Sequence, residues 1–123
     1  MRILLLIICG SAGTLTRYAM QGLVQQRTGS FFPTGTLAVN LSGCLFLGGL
    51  DQFALHHLSI PPDWRLRITI GFFGAFTTFS SFGGETAHML EDGEWMKALI
   101  YVGVSVLGGL LLVMAGIWLA DRL

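Results

Sequence analysis

Polar and apolar positions divide this chain into long uncharged stretches separated by short polar ones. Residues 3–16, 28–50, 68–84 and 98–120 contain no Asp, Glu, Lys or Arg, and a further uncharged run, 18–26, follows Arg17. A helix needs roughly 20 apolar residues to cross the hydrocarbon of a bilayer. The pattern therefore predicts four membrane-spanning helices, at about 3–25, 34–57, 65–90 and 96–120. The connections carry breakers: Thr28-Gly29-Ser30 with Pro33, then Ser59-Ile60-Pro61-Pro62-Asp63, then Glu91-Asp92-Gly93-Glu94. Trp64, Trp95 and Trp118 fall near the predicted ends, where an indole buries its ring and keeps its N–H wet. The apolar run after Met1-Arg2 has a leader-like look, with Cys9 at a lipoprotein-like position. The bulky Ile8 before Cys9 fits cleavage badly, and removal would leave three uneven spans, so the segment reads as the first helix.

Composition narrows this further. Of 123 residues, 53% are hydrophobic and 11% charged, less than half the charge of an ordinary soluble domain, which is about 25%. Four spans consume about 80 residues and leave only connections. The chain therefore reads as one four-helix transmembrane domain over 1–123, without room for a nucleotide-binding fold or a catalytic insertion. Seven Lys and Arg balance seven Asp and Glu, which gives no reason to expect nucleic-acid binding. Cys9 and Cys44 lie in apolar runs and read as small hydrophobes. No nucleophile–base pair or metal-ligand cluster points to an enzyme. With four spans, Arg2, Arg65, Arg67 and Arg122 share one side of the membrane, and Arg27 and Lys97 the other. This slight bias is compatible with insertion in either orientation, and so with an antiparallel dimer, or with one orientation set by the few extra arginines.

The informative residues are polar ones inside the spans, each costly in hydrocarbon unless it meets a partner or water. Arg17 sits about two-thirds along the first helix and reads as a residue that snorkels or pins neighbouring helix ends, with an anion path as the functional alternative. Thr36 and Asn40, four residues apart, share a face of the second helix. The Asn40 amide either bonds a neighbouring helix or lines a pore and offers its N–H groups to an anion. The stretch 71–84 holds four glycines, four hydroxyls (Thr77, Thr78, Ser80, Ser81) and five phenylalanines. Gly74 followed by that hydroxyl cluster predicts a third helix broken at mid-membrane, since hydroxyls bond the backbone groups that a break frees. Phe79 and Phe82 lie on nearly one face. In the fourth helix Tyr101, Ser105 and Gly109 form a small, partly polar stripe.

Three strings, Gly-Thr-Leu-Thr-Arg-Tyr (13–18), Gly-Thr-Leu-Ala-Val-Asn-Leu-Ser-Gly (35–43) and Gly-Phe-Phe-Gly-Ala-Phe-Thr-Thr-Phe-Ser-Ser-Phe (71–82), resemble the Fluc/CrcB fluoride channels in sequence and order. The resemblance implies an all-α integral membrane protein of a bacterial cytoplasmic (inner) membrane. It implies an antiparallel, dual-topology homodimer in the lipid bilayer, with two pores passively exporting toxic fluoride. By motif position it makes Asn40 the pore asparagine, and Phe79 and Phe82 the paired rings whose edges meet fluoride. Thr36, Ser80, Ser81, Tyr101 and Ser105 match pore or polar-track positions, while Glu85 and Arg17 match the pore mouth. Backbone carbonyls of Gly74 and Thr77 would hold a central structural sodium ion, Na+, shared by two subunits. Gly109 stands where some members carry serine, which shortens the track or leaves water to complete it.

The alternative is a small four-helix proton-coupled multidrug exporter. Such a machine needs an ionisable carboxylate within the membrane; the first helix has none, and Asp51 and Glu85 lie toward segment ends. A non-transporting structural subunit would explain the small residues but leave Asn40 and the hydroxyl-rich break without a purpose.

Overall fold

The computed structural model describes residues 1–123, which are helical except at short connections. Three helices, α1 (Arg2–Thr28), α2 (Thr34–His57) and α6 (Trp95–Ala120), are long and apolar enough to cross a membrane. They cover the expected spans, with α1 running a few residues further than its apolar pattern. The remaining rod, residues 62–91, is segmented into α3 (Pro62–Ile68), a wider π-helical turn (Thr69–Phe73), α4 (Gly74–Phe76) and α5 (Phe79–Glu91). Between α4 and α5, Thr77 (φ −79°, ψ 157°) and Thr78 (φ −146°, ψ 108°) are extended. Gly74 itself stays helical (φ −64°, ψ −30°). The chain leaves helical geometry at the two β-branched threonines, whose hydroxyls compete for backbone partners.

α1 and the segmented rod run parallel: Arg2 pairs with Asp63 at 3.7 Å where both begin, and further along Gly13 lies against Phe72. α2 and α6 also run parallel. Gly48 lies directly on the Val113 carbonyl and Gly116 on that of Leu45, so two backbones meet with no side chain between them. Such small-residue contacts are how helices associate in lipid, where dispersion and close approach replace hydrophobic drive. At its far end this pair is closed by Gln52 donating to Asp121 at 2.8 Å.

Gln25 makes the most bonds across the α1–α2 connection, beside those of Thr28, Ser30 and Thr34. Gln25 Nε2 donates to the Ser30 carbonyl (2.7 Å) and the Phe32 carbonyl (3.2 Å), and its Oε1 accepts from the backbone N–H of Gly35 (3.1 Å). The start of α2, and with it Thr36 and Asn40, is thereby fixed relative to α1. Buried apolar residues fall into two clusters. Val39, Phe73 and Phe76 lie where α2 meets the segmented rod, and Phe82, Met89, Ala98 and Tyr101 lie between α5 and α6.

Candidate functional site

The interruption is held open by Asn40. Its Oδ1 accepts from the Thr78 N–H at 2.7 Å, and its Nδ2 donates to the Thr78 carbonyl at 3.0 Å. One side chain on α2 thus replaces, for both polar groups of Thr78, the partners a continuous helix would supply. One Nδ2–H remains uncommitted. Gly43, one turn further on the same helix, makes the approach possible: a Cβ there would strike Thr77 Cγ2 and sit 3.2 Å from the Phe76 ring. Thr78, 5% exposed, also caps α5. Its Oγ1 accepts from the Ser81 N–H at 3.2 Å and donates to Ser81 Oγ at 3.0 Å, with Ser80 Oγ at 3.4 Å. This satisfies one of the orphan donors at a helix start.

The same rearrangement frees carbonyls. Gly74 loses its usual donor because the Thr78 N–H has turned to Asn40. The Thr77 carbonyl accepts no hydrogen bond, since the N–H of Ser81 is taken by the Thr78 hydroxyl. These are the two carbonyls named for sodium, and oxygens without donors are the ligands a hard cation requires. The residues therefore fit such an ion.

Beyond the break lies a row of rings and hydroxyls. Phe79 and Phe82 have centroids 5.6 Å apart, tilted by 48°, and Phe82 lies 5.1 Å from Tyr101. Phe82 is buried, whereas Phe79 is 82% exposed. Tyr101 is fully buried, with Phe32 edge-on to it at 5.4 Å. Its hydroxyl donates to Glu85 Oε2 at 2.6 Å, and the Thr36 hydroxyl donates to Glu85 Oε1 at 2.6 Å. Gln21 Nε2 in turn donates to Thr36 Oγ1 at 3.1 Å. One turn along α6 from Tyr101, Ser105 Oγ is buried and has no hydrogen-bond partner. A buried hydroxyl left unpaired is uncommon enough to require an explanation.

The fold thus brings together Thr36, Asn40, Phe82, Glu85 and Tyr101, with Ser80, Ser81 and Phe79 beside them and Ser105 one turn away. Arg17 stands apart: it is half-exposed and has no ion pair or hydrogen bond within the chain. Three participants escape sequence reasoning. Thr78 is the peptide that Asn40 grips, Gln25 orders the loop, and Gln21 touches Thr36. A glutamine near a helix end carries no pattern that marks it. Thr78 could have been found by asking which of four adjacent hydroxyls must cap the restarted helix.

Residues 4–117 match the family model described as CrcB-like protein, Camphor Resistance (CrcB). The chain is 46% identical over 116 residues to a protein of Geobacter sp. (strain M21) named fluoride-specific ion channel FluC, covering 94% of each chain. Proteins of the same name from Pseudomonas syringae pv. tomato and Acidobacterium capsulatum are similar as well. The first is 44% identical over 115 residues (94% of this chain, 93% of the relative), the second 37% over 123 residues (100% and 98%).

Proposed function

We propose, starting from the fact that this chain belongs to the CrcB-like family, that it is a multi-pass membrane channel passing fluoride down its gradient. It would relieve a bacterial cell of toxic fluoride across the cytoplasmic membrane, and the work is conduction, not enzyme catalysis. The observation that carries the reading is the seating of Glu85: two buried hydroxyls, of Thr36 and Tyr101, each donate at 2.6 Å to one of its oxygens. Hydroxyls that converge as donors on carboxyl oxygens are donors of the kind that fluoride needs when its water is removed.

Fluoride holds its water tightly, so a pore must replace each hydration contact it removes. Neutral donors do this without a fixed cation that would trap the ion, and conduction requires sites weak enough to leave. The path is lined by Thr36 and Tyr101, then by Ser105, whose buried hydroxyl is otherwise unexplained. It continues past the positive edges of Phe82 and Phe79, the spare N–H of Asn40, and Ser80 and Ser81. Glu85 stands at its mouth, and Arg17 is assigned there by motif position alone, since it bonds to none of these residues within one copy.

The working unit is an antiparallel, dual-topology homodimer with two pores, and the interruption at Thr77 and Thr78 lies at mid-membrane. What supports this is that one copy leaves the site incomplete. Phe79 is 82% exposed although it belongs to the ring pair, and the Thr77 carbonyl has no donor. A second, inverted copy would cover the ring and bring a matching pair of carbonyls across a two-fold axis. Sodium held by Gly74 and Thr77 of both copies would supply the positive charge that offsets carbonyl dipoles otherwise hostile to an anion.

Purified protein in fluoride-loaded liposomes tests the reading. With no pH gradient, and with a potassium ionophore to relieve charge build-up, fluoride should leave in proportion to the protein present. Fluoride retention accompanied by drug-dependent proton exchange would instead identify the exporter.

A further inference from the structure

We infer that Gln21 is a positioning residue that fixes the direction of the Thr36 hydroxyl and so keeps it a donor toward the anion path, an inference that rests on the channel reading above. A hydroxyl has one proton and two lone pairs. Thr36 is 1% exposed, so its polar partners are those the chain supplies: Glu85 Oε1 at 2.6 Å and Gln21 Nε2 at 3.1 Å. Thr36 Oγ1 gives its one proton to Glu85 Oε1, and the same oxygen accepts from the amide of Gln21. That requirement selects the amide orientation, since the Gln21 carbonyl would compete for the same proton.

The result is a chain of hydrogen bonds with one sense, Gln21 to Thr36 to Glu85, met from the other side by Tyr101. An anion replacing a Glu85 oxygen finds the Thr36 O–H already aimed at it. Without Gln21 only the bond to Glu85 directs the hydroxyl, and once the anion displaces that oxygen the hydroxyl is free to turn its lone pairs into the path, where they repel the ion. Gln21 is held firmly enough to impose this. α2 lies directly on it at Gly35, where a Cβ would sit 3.1 Å from Gln21 Cγ. Gln21 also lines, with Tyr18, Gln25, Phe31, Thr36 and Glu85, a cleft of about 480 Å³ that opens at this end of the path.

Gln21→Glu tests the inference because it puts an acceptor where a donor is needed at nearly unchanged volume. At pH 7, the initial fluoride efflux of Q21E in liposomes should fall about tenfold, the size of one reversed charge-assisted hydrogen bond. Its half-saturating fluoride concentration should rise, while its elution profile stays that of the wild type. The decisive comparison is the same change in a T36V background, assayed at raised protein density. With no hydroxyl left to orient, Q21E should cost less than about twofold there. Gln21→Met, which removes the donor without adding an acceptor, should fall between wild type and Q21E. It carries the comparison with T36V if Q21E fails to fold. Wild-type flux in Q21E, or an equal loss with and without the Thr36 hydroxyl, would overturn the role of Gln21. A wild-type protein that passes no fluoride would overturn the channel reading itself, and that outcome is visible before any variant is made.

Discussion

Asn40→Leu removes the strut that holds the break open, at similar side-chain volume. It leaves the N–H and carbonyl of Thr78 without the partners now at 2.7 and 3.0 Å, on a residue only 5% exposed. An orphaned buried polar group costs about 1–3 kcal/mol, which would make about 2–6 kcal/mol for the two. Interhelical hydrogen bonds within membranes contribute less, about 0.6–2 kcal/mol each, because the unfolded chain in lipid also finds partners. The expected loss of stability is therefore about 1–4 kcal/mol. The effect on conduction is larger than that figure suggests. Freed from Asn40, the Thr78 N–H can return to the Gly74 carbonyl and the rod can close into continuous helix. Two residues changing from extended to helical rise shorten the path by about 3–4 Å, enough to part Phe82 from Tyr101, now 5.1 Å centroid to centroid. Initial fluoride efflux per molecule should fall at least about tenfold, the equivalent of 1.4 kcal/mol, in protein that still elutes as wild type. Asn40→Asp separates the strut from the charge. It keeps an acceptor for the Thr78 N–H, but its second oxygen would face the Thr78 carbonyl where the amide now donates; it also places a negative charge beside an anion path and should conduct nothing. Wild-type flux in N40L would refute the reasoning.

Phe82→Ile and Phe79→Ile keep apolar volume, costing less than about 1.5 kcal/mol, but lose the ring edge; both should lower fluoride flux sharply in a folded protein, and unchanged flux would remove the rings from the path. Gly48→Ala drives a Cβ into the Val113 carbonyl, so α2 and α6 must part. Its unfolding midpoint in detergent should drop by the equivalent of about 1–3 kcal/mol, and a wild-type midpoint would contradict the close crossing. Replacing sodium on both sides by a large organic cation should weaken the assembly or stop fluoride efflux, and indifference of both would count against a bound ion at Gly74 and Thr77.

Most of the fold was legible because lipid imposes a simple rule. Uncharged runs of sufficient length must be helices, and α2 covers the expected span, 34–57, running on through Asp51 beyond its uncharged stretch. The segmented rod was half legible. Its hydroxyl cluster announced a break, but the π-helical turn at Thr69–Phe73 left no trace, since apolar residues at that spacing suit either helix. Within that stretch the sequence did not say which residue leaves the helix: Gly74 keeps helical dihedrals, and the two adjacent threonines do not. In the site, residue types were visible and partners were not. Asn40 stood out as an amide in a span, yet its bond to a peptide 38 positions away depends on how α2 docks. The same holds for Thr36 and Glu85, 49 positions apart. Gln21 stayed silent because its function lies entirely in which atom of its amide meets Thr36.

The central claim is selective, passive fluoride conduction, and a planar bilayer with equal fluoride on one side and chloride on the other measures it most directly. The current should reverse far from zero, at a voltage that makes the fluoride side positive and so holds fluoride back, with no dependence on a proton gradient. Reversal near zero, or no current from protein that is folded and inserted, would contradict the account.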